Sequence, residues 1–246
     1  MEKVLITGAN KGIGFATAKL LLQKGYYVYI GSRNTENGKI AVEKLKAAGL
    51  IHVENIQLDV TDSHSVEAAR KEIGNKTEVL DVLINNAGIN GGRNPYTALQ
   101  SKPEEFFAAF DVNVIGISRV TNAFIDLLKK SNEPRIVNLS TSVGSITLQS
   151  DPNWPAYPYA KYAVYAVSKA ALNMYTVHLA YELRDTNFKI NAVCPGLTAT
   201  DFTFGNGGDV DTAAARIVKY ATIGQDGPTG KFFSEETNPD TVEIPW

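Results

Sequence analysis

Cysteine is almost missing from this chain. Cys194 is the only one in 246 residues, so no intramolecular disulfide can form, and a reducing compartment is expected. Only three histidines occur, His52, His64 and His178. With a single cysteine they give no metal-ligand spacing, so no metal is expected. No apolar run approaches the roughly 18 residues that a membrane-spanning helix needs. The opening residues, Met1-Glu2-Lys3-Val4-Leu5-Ile6, show no long apolar signal core. Neither sign of charge dominates: 24 Lys and Arg against 26 Asp and Glu leave a net charge of −2. That balance gives no reason to expect a nucleic-acid or membrane partner. The expected setting is the cytoplasm.

Against these absences stands a regular alternation of strand-like and helical patterns. Residues 3–6, 26–30, 53–58, 79–84, 135–139 and 189–193 are short runs rich in Val, Ile and Leu. Helical spacing is expected at 12–24, 35–48, 63–73, 104–130, 160–183 and 211–220, with Pro103 at a first-turn position of the fourth. Residues 143–158, which hold Pro152, Pro155 and Pro158, are expected to form a loop, and 231–233 an edge strand. Such a rhythm predicts an α/β fold: a Rossmann-type, doubly wound parallel sheet between two helical layers. The whole chain, 1–246, is expected to be one NAD(P)-binding domain, with a substrate loop and a short tail over 195–246. In such sheets ligands bind outside the carboxyl ends of the strands, so informative residues should follow strands directly.

They do. Thr7-Gly8-Ala9-Asn10-Lys11-Gly12-Ile13-Gly14 follows the first strand and opens the first helix. Gly8 permits a tight turn, Gly12 a close backbone approach to a pyrophosphate, and Gly14 close helix–strand packing. The helix N-terminus offers free N–H groups to phosphate. After the second strand come Ser32 and Arg33, with no carboxylate for ribose hydroxyls. Arg33, with Lys11 nearby, suits the 2′-phosphate of NADP(H) better than NAD(H); stacking on adenine is the other use of Arg33, and keeps NAD(H) open. Asp59, next to Val60, is placed to accept from the adenine amino group or to cap the following helix, a role for which Ser63 competes. Asn85-Asn86-Ala87-Gly88 ends the fourth strand with small polar residues, leaving room for a ribose.

A carbonyl that accepts hydride needs a proton on its oxygen. A phenol supplies one if a cation stabilises its anion. Tyr165 and Lys169 stand at i and i+4, on one face of a helix. Tyr157 and Lys161 share the spacing, but Pro158 disfavours helix at Tyr157.

Together these motifs resemble the compact form of the short-chain dehydrogenase/reductase family. TGxxxGxG at 7–14, NNAG at 85–88, YxxxK at 165–169 and PGxxxT at 195–200 occur in the family's order over nearly the whole chain. The Asn10-Lys11-Gly12 turn and Asn138-Leu139-Ser140 look closest to its carbonyl-reductase branch. The resemblance implies a nicotinamide cofactor and reversible reduction of a ketone or aldehyde to an alcohol. It further implies a substrate-holding serine three residues after Asn138. That position is Thr141, a departure from the pattern, and Ser142 follows, so both hydroxyls are candidates. Asn113 matches an asparagine that anchors a water linked to the lysine. Pro195, Gly196, Thr198 and Thr200 would hold the nicotinamide end, and Cys194 is expected to be a buried small hydrophobe.

Position points to residues 90–96, the 143–158 loop with Trp154 and Tyr157, and 201–209 with Phe202 and Phe204 as the substrate pocket, which favours an apolar ketone. Gly205, Gly207 and Gly208 suggest a mobile lid. A nicotinamide-binding sensor or scaffold without chemistry is the alternative from another class, and an epimerase or dehydratase a third. The family implies homo-oligomers through two long helices; an extra segment before the catalytic tyrosine, shortened here, blocks this in some relatives.

Overall fold

The computed structural model describes residues 1–92 and 97–246. The elements run β1 (Lys3–Thr7), α1 (Gly12–Gln23), β2 (Tyr27–Ser32), α2 (Thr35–Ala47), β3 (Val53–Gln57), α3 (Ser63–Gly74) and β4 (Val82–Asn85). They continue with α4 (Pro103–Phe110), α5 (Gly116–Leu128), β5 (Arg135–Leu139), α6 (Ile146–Ser150), α7 (Ala163–Glu182), β6 (Lys189–Val193), α8 (Val210–Ala221) and β7 (Lys231–Phe233). The sheet order is β3-β2-β1-β4-β5-β6-β7, and every neighbouring pair is parallel. The inner strands β2, β1, β4, β5 and β6 are buried on both faces, which is why they are largely apolar without alternation, whereas the edge strand β3 is partly exposed and carries Glu54, Asn55 and Gln57. Val4 stands beside Val28 on one side and Val82 on the other.

Two apolar clusters flank the sheet. Leu21 of α1, Leu45 of α2 and Ile217 of α8 pack with Val4, Ile6 and Ile30 on one face. Val66 of α3, Phe124 of α5 and Leu179 of α7 pack with Leu5, Leu83 and Ile136 on the other. The expected three layers are present, and the chain direction reverses its march across the sheet between β1 and β4. That is the switch point where ligands bind in such folds.

Several local expectations are corrected. The helical stretch 104–130 is not uniform: α4 and α5 are joined by a π-helical turn, Asp111–Ile115. The segment 143–158 is not all loop, because Ser142–Gly144 forms a 3-10 turn and α6 follows. Ser145 starts α6 by accepting a hydrogen bond from the Leu148 N–H at 3.1 Å. The helix expected over 160–183 begins three residues later, at Ala163, and the strand expected over 79–84 begins at Val82. Neither Asp59 nor Ser63 caps α3; Asp62 does, accepting from the His64 N–H. Asn85 does not leave the sheet end open. It is buried and donates to Thr121 Oγ1 and Asn138 Oδ1, while Asn138 donates to Thr176 Oγ1.

Candidate active site

Because every strand is parallel, all the segments singled out above emerge at one edge of the sheet. The glycine turn follows β1. Gly8 has φ 65°, and a Cβ there would lie 3.0 Å from Ala87 Cα. A Cβ on Gly14 would lie 2.5 Å from Asn86 Nδ2. The two segments thus pack without side chains between them. Asn86 stitches them together: its Nδ2 donates to the carbonyls of Thr7 and Gly8, and Thr7 Oγ1 accepts from the N–H groups of Asn86 and Ala87. Lys11 occupies the N-cap of α1 without a side-chain cap, so the first N–H groups of the helix, around Gly12 and Ile13, remain available to an anion. Asn10 is half-buried in the same turn.

The adenosine end would lie beyond β2 and β3. Ser32 is buried and its hydroxyl donates to the Asn34 carbonyl. Arg33 is exposed, and its guanidinium has no ion pair or hydrogen bond among the described residues. Asp59 Oδ1 accepts from the Thr61 N–H and hydroxyl, leaving Oδ2 uncommitted. Val60 is buried, and its carbonyl accepts from Arg119. Lys11 does not flank Arg33 as a free cation: its ammonium pairs with Asp201 at 2.7 Å, which holds that carboxyl below its usual range. These features fit a dinucleotide: uncapped helix donors, glycine packing that admits no side chain, and a cation at the end of β2 that is unpaired among the described residues, with no carboxylate beside it in sequence.

The expected proton-donor pair sits on α7, with Lys169 beside the end of β5 and the segment that follows β4. Tyr165 and Lys169 are one turn apart in α7. The earlier YxxxK lies in turns before the helix, where Lys161 covers the Tyr157 ring at 3.8 Å. Lys169 is buried and donates from Nζ to the Leu139 carbonyl at 2.7 Å. Its ammonium stands 5.8 Å from the centre of the Tyr165 ring. Burial lowers the lysine pKa to about 8, with a smaller opposing contribution from Cys194. Burial pushes the Tyr165 phenol up, so the phenol holds its proton. The Tyr165 hydroxyl makes no hydrogen bond among the described residues, and Tyr165 lines a small cavity of about 10 Å³ with Asn90, Gly92 and Val164.

Asn113 lies in the π-helical turn, fully buried. Its Oδ1 accepts from the Ile89 N–H, and its Nδ2 donates to the Ile89 carbonyl and to Ser168 Oγ. It thereby fixes the segment after Gly88. A Cβ on Gly88 would lie 3.2 Å from Asn113 Oδ1 and 3.6 Å from Lys169 Nζ, so the segment after β4 abuts Asn113 and Lys169. After β5, Thr141 Oγ1 accepts from the Val143 N–H at 3.3 Å. Ser142 is buried to 9 % exposure, with no hydrogen bond from its hydroxyl among the described residues.

The segment after β6 folds back over the crevice. The Pro195 carbonyl accepts from Arg216, and the Thr198 hydroxyl donates to the Gly196 carbonyl. Thr198 also bridges to Gly208. Thr200 stands over the glycine turn, 3.5 Å from where a Gly12 Cβ would be. Phe202 tilts against the Tyr165 ring with centroids 5.4 Å apart. Phe204 is exposed with φ 55°. Trp154 is buried to 8 % exposure, and neither its ring nor that of Tyr157 stacks on Tyr165, so of the three residues expected at the substrate only Phe202 does so. Residues 93–96 of the expected pocket lie outside the described residues. Cys194 is buried beside Phe232 and Ile244. Sequence reasoning missed Asp201 as the partner of Lys11; the two are 190 positions apart and no local pattern joins them.

Known proteins resemble this chain over nearly its whole length. The family model described as short chain dehydrogenase matches residues 2–207. A short-chain dehydrogenase of Penicillium roqueforti, anuI, is 34% identical and aligns over 99% of this chain and 97% of its own length. The (−)-isopiperitenone reductase of Mentha piperita is 34% identical over 94% of this chain and 96% of its own. Among solved structures, salutaridine reductase from Papaver somniferum superposes with a TM-score of 0.82 at 29% identity, covering 95% of this chain and 100% of that one. An NADPH-bound carbonyl reductase from chicken fatty liver gives 0.83 at 27% identity, covering 100% and 99%.

Proposed function

The chain belongs to the short-chain dehydrogenase family and is an oxidoreductase, and from that premise we propose that it reduces a ketone or aldehyde to an alcohol, reversibly, with NADPH as the preferred cofactor and NADH as the poorer one. The observation that carries this reading is the Tyr165 hydroxyl, free of hydrogen-bond partners among the described residues, one helical turn from a lysine ammonium pinned by the Leu139 carbonyl.

When bound, the reduced nicotinamide supplies the hydride. The chain supplies the rest. Tyr165 donates its phenolic proton to the substrate oxygen, and the Lys169 ammonium stabilises the phenolate left behind. Thr141 and Ser142 are the hydroxyls placed to polarise that oxygen. Thr141 accepts from Val143, so its own proton is free to donate; Ser142 is buried, and its hydroxyl makes no hydrogen bond among the described residues. Asn113, held in the π-helical turn, supports a proton path from solvent through Lys169. Gly8, Asn10, Gly12, Ile13 and Gly14 would cradle the pyrophosphate, Asn86, Ala87 and Gly88 the nearby ribose, and Pro195, Gly196, Thr198 and Thr200 the carboxamide end. Asp59 and Val60 would border the adenine, and Ser32 and Arg33 the 2′-phosphate. The solved carbonyl reductase is NADPH-bound, which supports the cofactor preference.

The substrate is an apolar carbonyl compound, because Phe202, itself 39% exposed, sets an aromatic ring against Tyr165. The name of the Mentha piperita relative, an isopiperitenone reductase, agrees with that class. The test is carbonyl-dependent oxidation of NADPH and NADH over a panel of cyclic and open-chain ketones. NADPH should win, and Arg33→Ala should erase its advantage without changing the NADH rate. A wild type that prefers NADH would overturn the cofactor assignment.

A further inference from the structure

The short turn Asp201–Thr203 touches both ends of the crevice. At one end Asp201 pairs with Lys11 at 2.7 Å, with both side chains largely exposed, 67% and 79%. Beside it Thr200 stands over Gly12. At the other end Phe202 lies against Tyr165. Lys11 and Arg33 are the cations of the glycine turn and of the end of β2, and among the described residues only Lys11 is neutralised by a carboxylate.

We infer that Asp201 is a specificity-determining residue for the cofactor: it competes inside the chain for the ammonium, Lys11, that a 2′-phosphate would otherwise take. This rests on the reading that Lys11 helps to bind NADPH. A 2′-phosphate carries close to two negative charges, as other phosphate monoesters do at neutral pH, and a carboxylate carries one. The phosphate therefore draws Lys11 away, but its binding is weakened by the ion pair that must first break. A cofactor without that phosphate leaves the pair intact. Asp201 thus narrows the preference between the two cofactors. It also ties the turn that carries Phe202 to the glycine turn, so a phosphorylated cofactor releases one of the contacts that hold Phe202 over the phenol.

An exposed ion pair is weak, so the effect is bounded: removing the competitor should improve affinity by up to about fivefold. The experiment is calorimetric titration of the full chain with 2′,5′-ADP and with 5′-ADP, for the wild type, Asp201→Asn, Lys11→Met and the double variant. Asp201→Asn should tighten 2′,5′-ADP about two- to fivefold and leave 5′-ADP unchanged, and the gain should vanish in the Lys11→Met background. A gain of equal size in that background would show a general charge effect and overturn the competition. No gain in Asp201→Asn, while Lys11→Met weakens 2′,5′-ADP, would overturn the competition and leave the phosphate role of Lys11 standing. No effect of Lys11→Met on 2′,5′-ADP would remove the premise itself.

Discussion

At the scale of single residues, Lys169 sets a pH dependence whose sign follows from its burial. Its pKa in the folded chain is lowered to about 8, below the roughly 10.4 of a free lysine. Between those values the unfolded chain binds more protons, so this group makes the fold more stable as pH rises through the window. Catalysis moves the other way, because the ammonium is the useful form. The kcat/KM for carbonyl reduction should fall as pH rises through about 8, and Lys169→Arg, whose guanidinium keeps its charge, should lose that limb along with much of the rate. A wild-type profile flat to pH 10 would contradict the assignment. The raised phenol adds no limb in this range. Thr141→Ala and Ser142→Ala, measured separately, divide the polarising role: the true contact should cost about 10²- to 10³-fold in kcat, its neighbour far less. The juxtaposition of Tyr165 and Lys169 on α7 was legible because it depends on a local i, i+4 spacing. The Lys11–Asp201 pair and the Asn85–Asn138–Thr176 network were not, since each joins residues distant in sequence. Counting along the chain also left Thr141 and Ser142 unresolved, because the backbone turns into a 3-10 helix at that point.

At the scale of elements, the sheet ends are placed by packing that the glycines and Asn113 make possible. Gly14→Ala would drive a methyl to 2.5 Å from Asn86 Nδ2 and 2.9 Å from Ala9 Cα. A loss of about 1–3 kcal/mol in unfolding free energy together with weaker cofactor binding is expected, read by denaturant titration and calorimetry. Asn113→Ala strands the N–H and carbonyl of Ile89, at a similar cost of about 1–3 kcal/mol. If Asn113 served the helix alone, kcat would survive this change at temperatures where the variant is folded; a fall in kcat there supports its place beside Lys169. The strands and long helices were readable from apolar spacing, with starts displaced by up to three residues. The π-helical turn was not, because nothing in the apolar pattern of 104–130 marks an extra residue per turn. Nor was α6, whose Ser145 cap stands ahead of a run containing three prolines.

At the scale of the whole molecule, the parallel order β3-β2-β1-β4-β5-β6-β7 gathers residues from both halves of the chain at one sheet edge. That architecture was expected from the alternation of elements alone. Among the described residues no helix is long and apolar enough to cross a membrane. Val167, Met174 and Tyr181 are exposed along α7 at seven-residue intervals, an apolar stripe of the kind that pairs between identical chains. Sedimentation of the wild type should show a dimer or larger, and Met174→Arg a shift toward monomer; a monomeric wild type at tens of micromolar would rule the stripe out as an interface.

The most direct test of the central claim is carbonyl-dependent NADPH oxidation by the wild type and by Tyr165→Phe, with cofactor affinity measured for both. Turnover by the wild type that falls at least about 10²-fold in the variant, with cofactor still bound, is the predicted result. Full activity in Tyr165→Phe would mean that another group donates the proton. No turnover by a cofactor-loaded wild type across a broad panel of ketones and aldehydes would contradict carbonyl reduction itself.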